Sequence, residues 1–163
     1  YKIVGLDSAI QAIKEFNAVE HRLEFVREIN GVKWYNDSAS SSPSRTIAGL
    51  NAYDEEIVLI AGGYDKNLDY DILGKYIVKK VKALVLIGNT AKKILDATTK
   101  EMEKQGVELP ICFCQTLEDA VKAAKQVAKE NQVVLFSPAS ASFDMFKNFA
   151  DRGNQFKKLV NEL

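Results

Sequence analysis

The sequence IVLIAGG at residues 57–63 decides the fold. Five consecutive apolar residues precede two glycines, and such an unbroken run is typical of a strand buried on both faces. The pattern recurs at residues 83–87 (ALVLI), which Gly88 follows, and at residues 133–136 (VVLF). Buried strands of this kind belong to parallel sheets with helices on both sides. The three runs therefore predict an α/β protein.

The segments between these runs have helical spacing of apolar residues. The predicted helices cover residues 46–53, 70–81, 90–105, 116–128 and 142–162, and another strand is predicted at residues 110–114. Regular alternation of strands and helices indicates right-handed crossovers between parallel strands. We therefore expect a Rossmann-like, mainly parallel sheet with helices on both faces.

A hairpin precedes the α/β pattern. Apolar and polar residues alternate loosely over residues 23–29, and Asn30-Gly31 is a strong signal for a two-residue hairpin turn. Residues 32–36 would form the return strand. An N-terminal antiparallel hairpin should therefore join the parallel sheet, and residues 8–16, upstream of it, have the spacing of a separate helix.

The amino-acid composition argues against several classes of protein. Lys plus Arg and Asp plus Glu number 22 each among 163 residues, which argues against a nucleic-acid-binding domain. No apolar run approaches the roughly 20 residues that span a bilayer, and no signal-peptide pattern occurs. We expect one cytoplasmic domain, monomeric, without a membrane or nucleic-acid partner. The chain opens at Tyr1 without Met, so we expect it to be part of a longer protein.

The only two cysteines, Cys112 and Cys114, lie two positions apart in a predicted strand. We expect their side chains to point to opposite faces of the strand. They would then neither form a disulfide with each other nor share a metal ion. Strand cysteines of this kind are typical of a reducing compartment.

Polar and glycine-rich segments follow the predicted strands at their carboxyl ends, where open α/β sheets bind ligands. These segments are NDS at residues 36–38, GGYDK at 62–66, GNT at 88–90 and SPAS at 137–140. Because the carboxyl ends of parallel strands share one edge of a sheet, the four segments should form one polar rim. That rim is the predicted binding site.

The run SPASASFDMFKNF at residues 137–149 combines small residues with aromatic ones. Ser142 is predicted near a helix N-terminus, where free N–H groups favour a carboxylate or a phosphate. The alternative is that Ser142 only caps the helix. Phe143, Phe146 and Phe149 recur at three-residue spacing, which is more typical of a core than of a site.

Single charged residues also mark the rim and the joint before the hairpin. Lys66 could neutralise a bound carboxylate, or it could be a solvated loop lysine. Arg22 offers a planar fork for phosphate or ribose oxygens, next to the only histidine, His21. Asp37 could accept a hydrogen bond from a ribose hydroxyl. Taken singly, each of these residues is equally typical of a surface ion pair.

The order of the motifs is more specific than any one of them. HRLE, NDS, GGYDK and SPASASFDMFKNFADRGNQFK follow one another along the chain. This order resembles the C-terminal domain of the Mur ligases, and within that family the members that add D-glutamate. The resemblance covers residues 20–163, and residues 1–19 would be the tail of a central ATPase domain and the interdomain joint.

The resemblance implies an ATP-dependent ligase of peptidoglycan synthesis. The carboxylate of UDP-N-acetylmuramoyl-L-alanine would be phosphorylated to an acyl phosphate, which the amine of D-glutamate attacks, with Mg²⁺ holding the phosphates. D-Glutamate would be bound by Lys66, Ser142, the backbone of Phe149, and Ser41. The nucleotide would be bound by Arg22, Asp37 and His21.

No catalytic residue and no metal ligand is expected in this chain. A G-x-x-x-x-G-K-[ST] loop for phosphates is absent from the sequence. In the family that loop and the UDP site belong to the central and N-terminal domains, which would be partners of this one. We therefore expect the 163-residue chain alone to be inactive.

One departure from the family pattern concerns charge. Where the family usually has NDS followed by Lys-Ala-Thr-Asn, residues 39–42 are Ala-Ser-Ser-Ser, so Ala39 replaces a lysine. Either Lys66 carries the positive charge alone, or Arg45, one helical turn further on, substitutes. Two alternatives to the D-glutamate assignment stay open from the sequence. They are another amide ligase of the Mur or folylpolyglutamate type, such as one that adds a different amino acid, and a free-standing small-molecule-binding module.

Overall fold

Six strands form one sheet in the computed structural model, which describes Gly5, Ser8, Ile10 and residues 19–163. Most of the helix predicted at residues 8–16 lies outside the described residues. The strands are β1 (Glu24–Ile29), β2 (Val32–Asn36), β3 (Ile57–Ala61), β4 (Val81–Leu86), β5 (Ile111–Phe113) and β6 (Val133–Phe136). The helices are α1 (Pro43–Leu50), α2 (Asp71–Lys80), α3 (Ala91–Gln105), α4 (Leu117–Val127) and α5 (Phe149–Asn161).

The strands lie in the order β1-β2-β6-β3-β4-β5. β1 pairs with β2 antiparallel, and every other pair is parallel. Asn30 and Gly31 both have positive φ (50° and 75°), as a type I′ hairpin turn requires. The prediction of a Rossmann-like, mainly parallel sheet with an N-terminal antiparallel hairpin is therefore confirmed.

Alternation along β3 divides the core into two halves. Ile57 and Leu59 pack with α1, α2 and α3 on one face of the sheet. Val58 and Ile60 pack with α4 and α5 on the other face. All four side chains are fully buried, which is why this strand has an unbroken apolar run. The prediction of helices on both faces is confirmed.

Two predicted helix starts are wrong. α1 begins at Pro43, three residues before the predicted start, because proline at the first helical position lacks an N–H that would be unpaired there anyway. α5 begins at Phe149 and not at Ser142. The Asn148 side chain accepts a hydrogen bond from the Asp151 N–H at 2.8 Å and so caps that helix.

Residues 142–148 form a separate turn. The backbone carbonyl of Ser142 accepts hydrogen bonds from the N–H groups of Met145 (3.3 Å) and Phe146 (2.9 Å). The sequence predicted that Ser142 lies near a helix N-terminus or caps the helix. Both predictions are wrong. Phe143 is 62% exposed and Phe149 48% exposed, so the expectation of core positions is wrong for both. Only Phe146 packs against the core.

The expectation for the cysteines is also wrong. The sulfur atoms of Cys112 and Cys114 lie 3.8 Å apart, on the same side of the chain. Side chains on a strand alternate with a period of two, so residues i and i+2 share a face. All six strands begin and end within two residues of their predicted limits. Among the described residues no helix is long and apolar enough to cross a membrane.

A fully buried arginine connects α5 to the loops at the rim. The Arg152 guanidinium donates four hydrogen bonds, to Ser38 Oγ (3.0 Å), Ser38 O (2.8 Å), Ser140 O (3.0 Å) and Ala141 O (2.9 Å). The first loop follows β2, and the second follows β6. Arg152 thus holds two separate rim loops at fixed positions relative to one helix.

Arg152→Lys should destabilise the fold. An ammonium group cannot reproduce the planar fork, so at least one charged hydrogen bond is lost, at a cost of about 1.5–3 kcal/mol. Arg27→Lys is the matched control, because Arg27 donates to a single exposed carbonyl of the same helix, that of Asn161. Urea unfolding of both variants measures the difference. Equal stability of the two variants would contradict the role of Arg152.

Gly74→Ala should also destabilise, although alanine is the better helix former by about 1 kcal/mol. A Cβ at Gly74 would collide with the Ala97 carbonyl oxygen where α2 packs on α3. We expect a loss of about 1–3 kcal/mol in the free energy of unfolding, as for other overpacked sites. Exposed Lys75, the next residue of α2, provides the control. Lys75→Ala should stay within about 0.5 kcal/mol of the parent in the same thermal or urea unfolding series.

Candidate functional site

The polar segments that follow β2, β3, β4 and β6 meet at one rim, as predicted. The Gly63 N–H donates to Thr90 Oγ1 at 3.1 Å, and Thr90 Oγ1 lies 2.7 Å from Ser140 Oγ. Ser137 Oγ donates to Asp37 Oδ2 at 2.7 Å. These bonds join residues from four separate loops. The rim is therefore a cross-linked surface with fixed geometry and not a set of independent loops.

The backbone at the end of β3 passes unusually close to its neighbours. Gly62 and Gly63 have φ of 115° and 151°. A Cβ at Gly62 would collide with the Ile87 carbonyl oxygen, and one at Gly63 with that of Ala141. Only glycine fits both positions. The two glycines let the loop at residues 62–66 lie directly against the loop after β6.

Lys66 lies beside the turn that contains Ser142. The Tyr64 N–H donates to the Ala141 carbonyl at 2.9 Å, which joins the two loops. Beyond this bond, the Lys66 ammonium lies 5.9 Å from the centre of the Phe143 ring, a cation–π contact. Among residues 19–163 no carboxylate pairs with Lys66 in an ion pair, whereas neighbouring Asp65 is paired with Lys93 at 2.6 Å. Lys66 is an exposed cation, available to an anionic ligand.

Ser142 and Phe149 lie at the two ends of the 142–148 turn. Ser142 is buried, at 2% exposure. Phe149 is the first residue of α5, so its N–H has no acceptor within the helix. Its carbonyl accepts a hydrogen bond from Ser38 Oγ at 2.7 Å, which fixes the backbone of the helix start. A hydroxyl and a backbone N–H thus flank the same turn that Lys66 contacts.

Ser41 lies half-buried in the loop after β2, and its N–H donates to the Ala39 carbonyl at 3.0 Å. Arg45 Nη1 donates to the same carbonyl at 3.3 Å. The exposed Arg45 side chain from α1 therefore folds back over the position where the family pattern has a lysine. The sequence left two sources for the missing positive charge, Lys66 and Arg45. Of these, Arg45 is the one that contacts Ala39.

Asp37 is buried, with 1% of the residue exposed. Besides the bond from Ser137, its Oδ1 accepts a weak hydrogen bond from the Leu23 N–H at 3.4 Å. Burial raises the pKa of the Asp37 carboxyl, and the hydrogen bonds from Ser137 and Leu23 oppose that shift. The carboxylate thus ties the residues after β6 to the start of the hairpin. It does not lie on the open surface of the rim.

His21 is buried at 4% exposure, and its ring lies against the backbone of α5 at Gly153, where a Cβ would collide with Nδ1. The Asn36 amide donates to Glu24 Oε2 (3.0 Å) and accepts from the Ser38 N–H (3.1 Å), which fixes its orientation. Its nitrogen also lies 2.9 Å from His21 Nδ1. Nδ1 must therefore accept, which assigns the proton to Nε2 in the neutral ring.

Arg22 is the exposed member of the predicted nucleotide-binding set. Its backbone N–H donates to the Val19 carbonyl at 3.1 Å, and its side chain extends into solvent. The structure therefore gives the three predicted residues different environments. Arg22 is accessible to a ligand, whereas His21 and Asp37 are buried, and His21 Nδ1 and the Asp37 carboxylate have partners within the chain.

Two residues at the rim were missed by the sequence analysis. Arg152 lies on the buried stripe of α5 with Phe156 and Val160, at a spacing of four, and an arginine within an apolar stripe is a signal that the sequence does offer. The other is Tyr70, whose hydroxyl lies 2.8 Å from Ser140 Oγ. No sequence pattern distinguishes this hydroxyl from other buried ones.

No group of three or more His, Cys, Asp or Glu side chains that could hold a metal ion occurs among the residues described. A cavity of about 750 Å³ opens behind the 142–148 turn, between that turn, α4 and α5, and its wall includes Met145, Phe146 and Gln155. It contains none of the predicted site residues. The predicted site lies at the rim, where Lys66 and Arg45 are exposed.

Comparison with known proteins agrees with these motifs. Residues 21–140 match the family described as Mur ligase, glutamate ligase domain. The UDP-N-acetylmuramoylalanine–D-glutamate ligase of Acetivibrio thermocellus is 59% identical over 150 residues, which is 91% of this chain and 32% of that protein. The ligase of the same name from Clostridium tetani is 48% identical over 159 residues, covering 98% and 35%. The chain spans about a third of the length of these relatives.

Solved structures share the fold at low sequence identity. A murein peptide ligase from Psychrobacter arcticus has a TM-score of 0.60 at 11% identity, with 96% of this chain and 33% of that chain covered. A bifunctional folylpolyglutamate synthase/dihydrofolate synthase from Yersinia pestis has a TM-score of 0.66 at 15% identity, covering 98% and 36%. The family match and the close relatives show that the chain belongs to the Mur ligase family and corresponds to its glutamate ligase domain.

Proposed function

We propose that the chain is the C-terminal, amino-acid-binding domain of an ATP-dependent ligase in peptidoglycan synthesis. The ligase adds D-glutamate to UDP-N-acetylmuramoyl-L-alanine through an acyl phosphate. The observation that carries this proposal is the identity of 59% over 91% of the chain with a D-glutamate ligase. In this proposal residues 20–163 are the domain, and residues 1–19 are the tail of the central ATPase domain and the joint.

The amino-acid side of the site follows from three groups around the 142–148 turn. The Lys66 ammonium attracts a carboxylate of D-glutamate, since it is exposed and lies next to the turn. The Ser142 hydroxyl and the Phe149 N–H donate hydrogen bonds to the side-chain carboxylate. Ser41, in the loop after β2, also contacts the amino acid. These contacts fix the amine for attack, and such positioning supplies much of the rate gain in two-substrate reactions.

On the nucleotide side, we propose that Arg22 contacts the nucleotide directly. Asp37 and His21, which the motif assigns to the same ligand, are buried and contribute by fixing the hairpin and the joint beside Arg22. When bound, ATP supplies the phosphoryl group that activates the carboxylate, and Mg²⁺ neutralises the phosphate charge. The described residues offer no acidic cluster for Mg²⁺, so the ion belongs to the central domain.

The open rim suits a domain that closes over a second one. Closure about the joint near residue 20 would bring Lys66, Ser142 and Arg22 against the central domain and exclude water from the acyl phosphate. Exclusion of water matters because the acyl phosphate would otherwise be hydrolysed before the amine attacks. We propose that the ligase works as a monomer in the cytoplasm.

The reaction can be tested with the longer protein that contains this chain. ADP release should require UDP-N-acetylmuramoyl-L-alanine and D-glutamate together, and L-glutamate, L-lysine and D-aspartate should support less than a hundredth of that rate. The 163-residue chain alone should show no ligation. Turnover with another amino acid at the rate seen with D-glutamate would refute the substrate assignment. Ligation by the isolated chain would refute the proposal that the ATP phosphates and the UDP part are bound by other domains.

Lys66→Ala in the longer protein should raise the KM for D-glutamate at least tenfold and the KM for ATP less than threefold. A charged hydrogen bond is worth about 1.5–3 kcal/mol, and only the amino acid is bound by this residue in the proposal. Lys92→Ala is the matched control, because Lys92 is exposed at the start of α3 and pairs only with Asp96 within its own helix. Steady-state kinetics with each substrate varied gives both constants, and equal effects on the two would argue against the assigned role.

A further inference from the structure

Both cysteines lie at the outer edge of the sheet. Cys112 pairs with Val85 in the register of β4 and β5, and β5 has a neighbouring strand on one side only. Val85 belongs to the core on the side of α4 and α5, and Cys114 packs partly against that same core. The two thiols therefore share one face of the edge strand, and Cys112 is exposed to solvent.

The separation of the two sulfur atoms has a chemical meaning. Thiolates bind Zn²⁺ at about 2.3 Å in tetrahedral geometry, which puts two sulfurs on one ion about 3.8 Å apart. The measured distance between Cys112 Sγ and Cys114 Sγ is 3.8 Å. The pair therefore already has the sulfur–sulfur separation of two thiolates on one such ion.

We propose that Cys112 and Cys114 form a chelating dithiol site for a thiophilic divalent ion such as Zn²⁺ or Cd²⁺. Both sulfurs bind the same ion as thiolates, and their two protons are released to solvent. The two other coordination positions belong to water or to an external ligand, because the described residues hold no group of three or more side chains that could complete a metal site.

Two other roles for the pair fit the geometry less well. A disulfide would need the sulfurs at about 2.05 Å, so both side chains would have to leave their present positions. A nucleophilic role for Cys114 is disfavoured because burial, and then its neighbour Cys112, raise the pKa of this thiol to about 12. A bound metal ion, by contrast, deprotonates a coordinating thiol outright. Chelation of one ion by both sulfurs is compatible with their present separation of 3.8 Å.

The test is a titration of the reduced, metal-free 163-residue chain with Cd²⁺. We expect one ion per chain and a thiolate-to-Cd²⁺ charge-transfer absorption in the ultraviolet, and Zn²⁺ should displace the Cd²⁺ in competition. Cys112→Ser and Cys114→Ser should each weaken binding at least tenfold, since each leaves a single thiolate. Absence of the charge-transfer band, or single variants that bind as tightly as the parent, would overturn the proposal.

Asp119→Asn is the matched control. Its carboxylate influences Cys114 electrostatically but is engaged at the start of α4, where Thr116 Oγ1 donates to it at 2.7 Å. Cd²⁺ affinity within threefold of the parent supports a site made of two thiolates. Loss of binding in this variant would refute that site in favour of one centred on the carboxylate. Thermal unfolding of each variant establishes that the fold is retained.

Discussion

The rim depends on the burial of one cation, the guanidinium of Arg152. The group is fully buried and donates to Ser38, Ser140 and Ala141, which belong to two loops more than 100 residues apart in sequence. Without it, the backbone carbonyls of Ser38 and Ser140 would be buried without donors, and each would carry a desolvation penalty. The same helix contacts the joint, because the His21 ring lies on Gly153, the next residue. One turn of α5 therefore positions both the rim and the joint.

The charge of Arg152 also has no direct counter-ion. Among residues 19–163 no carboxylate forms an ion pair with it, and Asp144 acts only at longer range. Burial lowers the pKa of Arg152 to about 10, so the group remains a cation at neutral pH. Arg152 donates to the Ala141 carbonyl, just before Ser142, and exposed Lys66 contacts the ring of Phe143, just after it. Together with Arg45, which donates to the Ala39 carbonyl, these cations give the rim a positive potential that favours an anion.

Sequence patterns predicted the sheet well and the site only in part. β3 and β6 were predicted to the residue, because an unbroken apolar run has no other stable location than between two layers of helices. The start of α5 was missed because Ser142 and Asn148 are both good caps, and only the hydrogen bonds inside the turn decide between them. The burial of Asp37 could not be foreseen either, since its partner Ser137 lies 100 positions away. Polar residues at strand ends suggest a surface until such partners are known.

The separate 142–148 turn matters for binding because it lies between Ser142 and the start of α5 and is held at both ends. Arg152 holds the carbonyls just before Ser142, and the Asn148 cap fixes the last residue before α5. Between them, Phe143 and Met145 are exposed. A continuous helix from Ser142 would have consumed the Phe149 N–H in an intrahelical bond and turned it away from any ligand. Because the helix begins at Phe149, that N–H stays free, and the hydroxyl of Ser142 and the N–H of Phe149 flank a single short loop. The failed helix prediction and the proposed carboxylate clamp thus have the same physical origin.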